Sequence, residues 1–237
     1  MENIDGYSPI LNRMKNKVAN IILGYDKAKP IIERHLELWK STCDILVFVM
    51  PEDACYTVPN HYTLIHDKSS HHGTGIIKRT MFAFKKALEI NADIFCFMEY
   101  DAVMLKRPNT SEDRQVQVNL AGWNDPTYSE EGYFFKAKFF CHTPFIFTRK
   151  ALEHFCTVMD EEPFEIGYPC RWFGGQLEKH NIPIFDLLGN GEGFTRNTID
   201  SPKDLINALN EGRYAIHGIK SDEVYAVISN VNNNPSI

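Results

Sequence analysis

Two carboxylates at the end of an apolar run are the first residues in this chain that suggest chemistry. The stretch from Ala92 to Leu105 reads ADIFCFMEYDAVML. Ile94 to Met98 is apolar throughout, the pattern of a strand buried on both faces, and it runs straight into Glu99, Tyr100 and Asp101. Residues i and i+2 of a strand project to the same side, so Glu99 and Asp101 would present two acids together at the strand's carboxyl end. In open α/β sheets, ligands bind beyond that end. Adjacent carboxylates repel unless protons or a cation intervene, and hard divalent ions that bridge phosphates use one or two carboxylates in this way. An acid-x-acid triplet alone is equally at home on a solvated strand end; its place after this strand makes it informative.

Two further segments carry groups able to serve a cation or a phosphate. Tyr214 to Lys220 reads YAIHGIK, which offers an imidazole at His217 and a cation at Lys220. Imidazole suits Mn²⁺ better than Mg²⁺, and an ammonium suits phosphate. His71 to Arg79 reads HHGTGIIKR. Its glycines, Gly75 among them, permit close backbone approach, the amides of a helix start favour anions, and Lys78 and Arg79 add positive charge. The adjacent His71 and His72, with His66 and Asp67 nearby, raise the question of zinc. No cysteine joins them and the spacing matches no zinc signature, so zinc is not expected.

These groups need elements to hold them. Val18–Leu23 reads as a buried strand ended by Gly24, followed by a helix over about 30–40 with Pro30 in its first turn. Asp44–Met50 is a second strand, Thr63–His66 a weaker third, and a helix is expected over about 76–90 before the acid-bearing strand. Strands alternating with helices predict parallel pairing in an α/β sheet. From Arg107 the texture changes. Pro108–Tyr133 reads as polar and turn-rich, followed by aromatic runs at 133–140 and 144–148 and a helix over about 150–159. A loop is expected over 161–175, a short helix closing at Gln176–His180, a strand at 182–188, a helix at 202–209 and a short strand at 214–216. Trp123, Asp125, Tyr133, Trp172 and Phe173 include aromatics able to stack on a ligand ring, though such residues equally form core or rim.

Composition sets the outer bounds. The chain has 237 residues, 43% hydrophobic and 24% charged, with a formal net charge of −6. That is ordinary for one packed domain, and it gives no support to a broadly basic nucleic-acid surface. The six cysteines are irregularly spaced with no CxxC pair, as expected of reduced thiols in the cytoplasm. The polar N-terminus lacks a signal-peptide core. The best apolar run, Ile45–Met50, is six residues, far short of the roughly 20 of a span. No stable membrane insertion is expected.

The acid segment resembles the metal-binding DxD motif of GT-A-fold, metal-dependent nucleotide-sugar glycosyltransferases, with Glu99 in place of the first Asp. The histidine segment resembles the C-terminal His-Gly-x-Lys return of glycogenin-like retaining transferases, with Ser221 and Asp222 where that family has Pro-Trp. The resemblance spans about residues 17–220 as a pattern, and the two short motifs carry it. It implies a single α/β, GT-A-like domain, Rossmann-like with a mixed sheet flanked by helices. Residues of about 17–105 would form the nucleotide-sugar half, about 106–220 the acceptor half, and 230–237 a flexible tail.

The same resemblance implies a glycosyltransferase, a hexosyltransferase in the first instance, using a UDP-sugar. Glu99, Asp101 and His217 would hold Mn²⁺ or Mg²⁺. Tyr25, Asp26, Gly75, Lys78, Arg79 and Lys220 would hold the nucleotide and its diphosphate. Retention of configuration is favoured, because the first turn of the helix within 170–178 holds no carboxylate and Gln176 offers an amide near the reacting face. Glu165 and Asp222 are the alternative bases, with Glu161, Glu162 and Glu223 beside them. The acceptor is open among glycan, protein, small molecule and modified DNA base; for the last, Lys85, Lys86, Lys106 and Arg107 would form a local basic strip. The competing readings are a sugar-1-phosphate nucleotidyltransferase and a non-catalytic binding protein on a transferase scaffold. The first normally has a Gly-rich loop after its first strand, which Gly24–Lys27 does not supply.

Overall fold

The computed structural model describes residues 16–25, 28–52, 54, 62–68, 74–108, 115–122, 139–160, 169–186, 199, 201–210, 215–217, 219 and 221–233. Its strands are β1 (Val18–Leu23), β2 (Ile45–Pro51), β3 (Thr63–Asp67), β4 (Ile94–Glu99), β5 (Ala102–Met104), β6 (Val116–Gly122), β7 (Phe139–Thr148), β8 (Phe185–Asp186) and β9 (Ala215–His217). Its helices are α1 (Lys29–Ser41), α2 (Thr74–Ala87), α3 (Arg149–Asp160), α4 (Pro169–Lys179), α5 (Pro202–Asn210) and α6 (Asp222–Asn233). The main sheet has the order β3-β2-β1-β4-β7-β6-β8, and β5 and β9 form a separate two-stranded ribbon. β3, β2, β1 and β4 are parallel, β7 runs against both its neighbours, and β8 is parallel to β6. The molecule is the expected α/β body, Rossmann-like, with a mixed, mostly parallel sheet flanked by helices.

Strand alternation explains the two cores. Val18 and Ile22 of β1, Phe48 of β2 and Cys96 and Met98 of β4 pack with Ile32 and Trp39 of α1, Leu205 of α5 and Val224 and Ile228 of α6. Their neighbours Ala19, Ile21, Val47, Phe95 and Phe97 pack on the other side with Ile77, Met81 and Phe84 of α2, Phe155 of α3 and Phe173 of α4. Phe84 is the hub of the second core, its ring centroid 4.2 Å from that of Phe97, 5.3 Å from Phe147 and 5.4 Å from Phe173. Truncating such a buried ring to Ala costs about 3–5 kcal/mol. Asn20 points toward α1, where its side-chain amide donates to the Trp39 carbonyl (3.0 Å) and to Thr42 Oγ1 (3.1 Å), fastening the helix's C-terminus to β1. Ser201 and Asp204 cap α5 reciprocally.

Several elements depart from the sequence expectation, among them β5, where no strand is expected after Asp101. β6 lies inside the stretch read as turn-rich; it is held between β7 and β8, so pairing supplies what its polar flanks hide. α4 starts at Pro169, within the segment read as loop, because Trp172, Phe173 and Leu177 bury against β7 and α2 and outweigh the helix penalty of Gly174 and Gly175. α6 was not anticipated; Val224 and Ile228 give it a buried stripe, and it runs into the polar tail as far as Asn233. The described part of the strand expected at 182–188 is the two residues of β8. Among the described residues, no helix is long and apolar enough to cross a membrane. Cys43, Cys96 and Cys156 form no disulfide among the described residues, and burial raises the pKa of Cys43 to about 11.

Candidate active site

The parallel strands β1 to β4 all end on one side of the sheet. Leu23 at the end of β1 pairs with Glu99 at the end of β4, so the chain from Gly24 to Tyr25 leaves the sheet beside the acid turn. Tyr25 and Tyr100 meet there edge to face, ring centroids 4.9 Å apart, with a hydroxyl–hydroxyl hydrogen bond of 3.3 Å. Burial raises the pKa of Tyr100, helped by the Tyr25 hydroxyl and then by the charges of Asp101, Tyr25 and Glu99. Glu99 and Asp101 are both partly exposed, and the backbone amide of Glu99 donates to Thr143 Oγ1 on β7 (3.2 Å).

The ribbon brings the second motif to the same place. β5 begins immediately after Asp101, and in its antiparallel pairing with β9 Ala102 lies opposite His217. The backbone of His217 is thus one residue in register from Asp101, although the side chain of His217 lies outside the described residues. Among the described residues, no three His, Cys, Asp or Glu side chains form a metal cage. Two partly exposed carboxylates beside an imidazole-bearing strand nonetheless suit a hard, phosphate-bridging cation.

Helix α1 holds the acid turn from behind. His35 and Trp39, one helical turn apart, contact each other edge to face at 5.1 Å. His35 Nδ1 donates to the carbonyl of Tyr100 (2.9 Å), and Trp39 Nε1 donates to the carbonyl of Ala102 (2.8 Å). The two carbonyls flank Asp101. A carbonyl can only accept, so the His35 hydrogen sits on Nδ1; Nε2 is buried without a hydrogen-bond partner among the described residues. Burial lowers the His35 pKa to about 4, against the raising effects of the Tyr100 carbonyl and Asp101. Tyr225 of α6 lies on the same imidazole at 5.0 Å and donates its hydroxyl to the Ile219 carbonyl (3.2 Å). Its pKa is raised to about 12, chiefly by burial. Sequence reasoning missed this helix face. A histidine and a tryptophan on an apolar stripe look like ordinary core, and their partners are main-chain atoms more than sixty positions away.

Helix α2 starts over the ends of β1 to β3. Gly75 is buried in its first turn and Lys78 is exposed. Arg79 reaches beneath the strand ends, donating to the carbonyls of Gly24 and of Val49 (2.9 Å) and pairing through Nε with Asp67 at 3.0 Å. Both side chains are nearly inaccessible, at 8% and 1%. Burial lowers the Arg79 pKa, while Asp67 and then Glu99 raise it. Its charge therefore acts on the site from below, while its hydrogen bonds knit three strands.

The remaining predicted residues scatter. Gln176 is fully buried on α4, with neither amide atom hydrogen-bonded among the described residues. The first turn of α4 holds no acid. Asp222 opens α6, is 77% exposed and pairs with Arg34. Trp172 and Phe173 are core residues. In the basic strip, Arg107 pairs with Asp44 and Lys86 with Glu89. Asp26, Trp123, Asp125, Tyr133, Glu165, Lys220 and the histidines at 71 and 72 lie outside the described residues.

A cavity of about 540 Å³ lined by Gln115, Val116, Lys150, Ala151, His154, Ile182 and Pro183 lies elsewhere. Val116 is level with Phe147, which pairs with Phe95 near the start of β4. The cavity is therefore roughly a strand length, ~16 Å, from the acids, at the wrong end of the parallel strands for their ligand. No protein-family model matches the chain, and no curated protein matches it.

Proposed function

We propose that the chain is a metal-dependent glycosyltransferase with a GT-A-like fold, working in the cytoplasm. It would move a sugar, a hexose in the first instance, from a nucleoside-diphosphate donor to a hydroxyl. The observation that carries this reading is the register of Ala102 with His217. Two motifs far apart in sequence, each suited to a cation on a diphosphate, become neighbours at the carboxyl end of a parallel strand, where such ligands bind.

In this reading Glu99, Asp101 and His217 hold Mn²⁺ or Mg²⁺. The bound cation supplies charge neutralisation of the diphosphate leaving group. Tyr25, with Asp26, takes the base and ribose; the start of α2 at Gly75, with Lys78 and Lys220, faces the phosphates. Arg79 keeps the strand ends together and moderates the field of Glu99. Gln176 is buried on α4 and takes no contact with the sugar in this reading; Glu165 or Asp222 acts as base if the reaction inverts. UDP is the first nucleotide to try, and the acceptor classes are glycan, protein, small molecule or modified DNA base.

Calorimetric titration with UDP, GDP, CDP and ADP in the presence of Mn²⁺ tests the donor assignment, and hydrolysis of the matching nucleotide sugar tests catalysis. Binding without turnover would favour the binding-protein alternative. No binding of any of the four would remove the donor assignment altogether.

A further inference from the structure

We propose that His35 and Trp39 are positioning residues that fix Asp101 for cation binding, by anchoring the carbonyls on either side of it to α1. This rests on the cation reading above and adds to it a part of the chain that carries no ligand.

A turn that leaves a strand end is ordinarily the least constrained part of the backbone, and a carboxylate on it would sample many positions. Here the peptide that enters Asp101 is held at the Tyr100 carbonyl, 2.9 Å from His35, and the peptide that leaves Ala102 is held at the Ala102 carbonyl, 2.8 Å from Trp39. Neither donor floats. Trp39 is fully buried and its own carbonyl is tied to β1 by Asn20. His35 is fully buried between Trp39 and Tyr225. Tyr225 in turn fastens the backbone at Ile219, two positions beyond His217. The Arg34 guanidinium, next along α1, pairs with Asp222 at the start of α6. One helix therefore holds the acid turn directly and the histidine return through α6. Donors behind a ligand that set its orientation commonly change metal affinity by about 10–100-fold when removed.

The test compares His35→Phe, which keeps a ring but loses the donor, with His35→Asn, whose amide can reach where Nδ1 lies. Mn²⁺ affinity is read from the electron paramagnetic resonance of free Mn²⁺. Hydrogen exchange across residues 99–104 is read in metal-free protein. His35→Phe should bind Mn²⁺ about tenfold more weakly and exchange faster over that segment, and His35→Asn should recover most of both. Should His35→Phe not fold, Trp39→Phe asks the same question through the Ala102 carbonyl. Unchanged affinity and exchange in the donor-free variant, or an Asn variant as impaired as the Phe variant, would overturn the proposal. If the unmutated protein binds no Mn²⁺, the cation reading fails by itself. The exchange measurement then decides alone whether α1 fixes the turn.

Discussion

Arg79 and Asp67 form an ion pair at 3.0 Å that is almost wholly withdrawn from water, and the same guanidinium donates to Gly24 and Val49. Removing one member of such a pair leaves the other charge buried without compensation, a loss of about 3–5 kcal/mol. Arg79→Met and Asp67→Asn should each destabilise by that order in urea unfolding. The double variant should lose less than the two combined. A single-variant loss below about 1 kcal/mol would mean that water reaches the pair.

Asp101 bears a different load. It is partly exposed on a turn outside the sheet. Asp101→Ala should abolish Mn²⁺ binding and sugar transfer while leaving the far-ultraviolet circular dichroism of the parent. Full transfer in this variant, or full activity of the parent in EDTA, would sink the cation hypothesis.

The buried imidazole of His35 gives a pH signature to the metal-free protein. Asp101 and Arg34 are the charges acting on it, with Tyr100, Trp39 and Tyr225 around it. Its pKa is about 4 in the fold against 6.5 as its ordinary value, so the unfolded chain takes up a proton in that interval and the folded one does not. The contribution is complete above pH 6.5 and declines as the pH falls toward 4, by on the order of 3 kcal/mol. Urea midpoints in EDTA at pH 7 and pH 4.5 should therefore fall less in His35→Asn than in the parent. Parallel declines would show that the imidazole protonates freely in the fold.

Gln176 is buried with both amide atoms lacking a hydrogen-bond partner among the described residues, an arrangement that costs stability. Gln176→Met fills the same volume without polar atoms and should raise stability by about 1–3 kcal/mol. A less stable Met variant would show that the amide already has a structural partner.

The stereochemical prediction is retention, read by proton NMR from the anomeric coupling of the first-formed product. α4 carries no acid in its first turn, so the base of an inverting reaction would have to come from elsewhere. An inverted product, with transfer lost in Glu165→Gln or Asp222→Asn, would place that base.

The first half of the fold was legible because strands buried on both faces leave continuous apolar runs. Val18–Leu23 and Ile94–Met98 stand out against helices with a clear stripe. β6 did not, since its pairing with β7 and β8 is a long-range fact that its residues do not announce. Gly174 and Gly175 disguised α4, because local helix preference speaks against them and burial of their neighbours overrules it. At the site, Glu99 and Asp101 were visible as polar residues closing an apolar strand. His35 and Trp39 were not, because their chemistry is directed at peptide carbonyls supplied by another part of the chain.

The β5–β9 ribbon also governs timing. During synthesis the acids emerge early, and Ala102 then waits for a strand made more than a hundred residues later. Until β9 arrives, the turn lacks its partner strand and α6 is not yet there to back α1. A nascent chain can thus carry both acids of the turn before the strand that pairs beside them has been made.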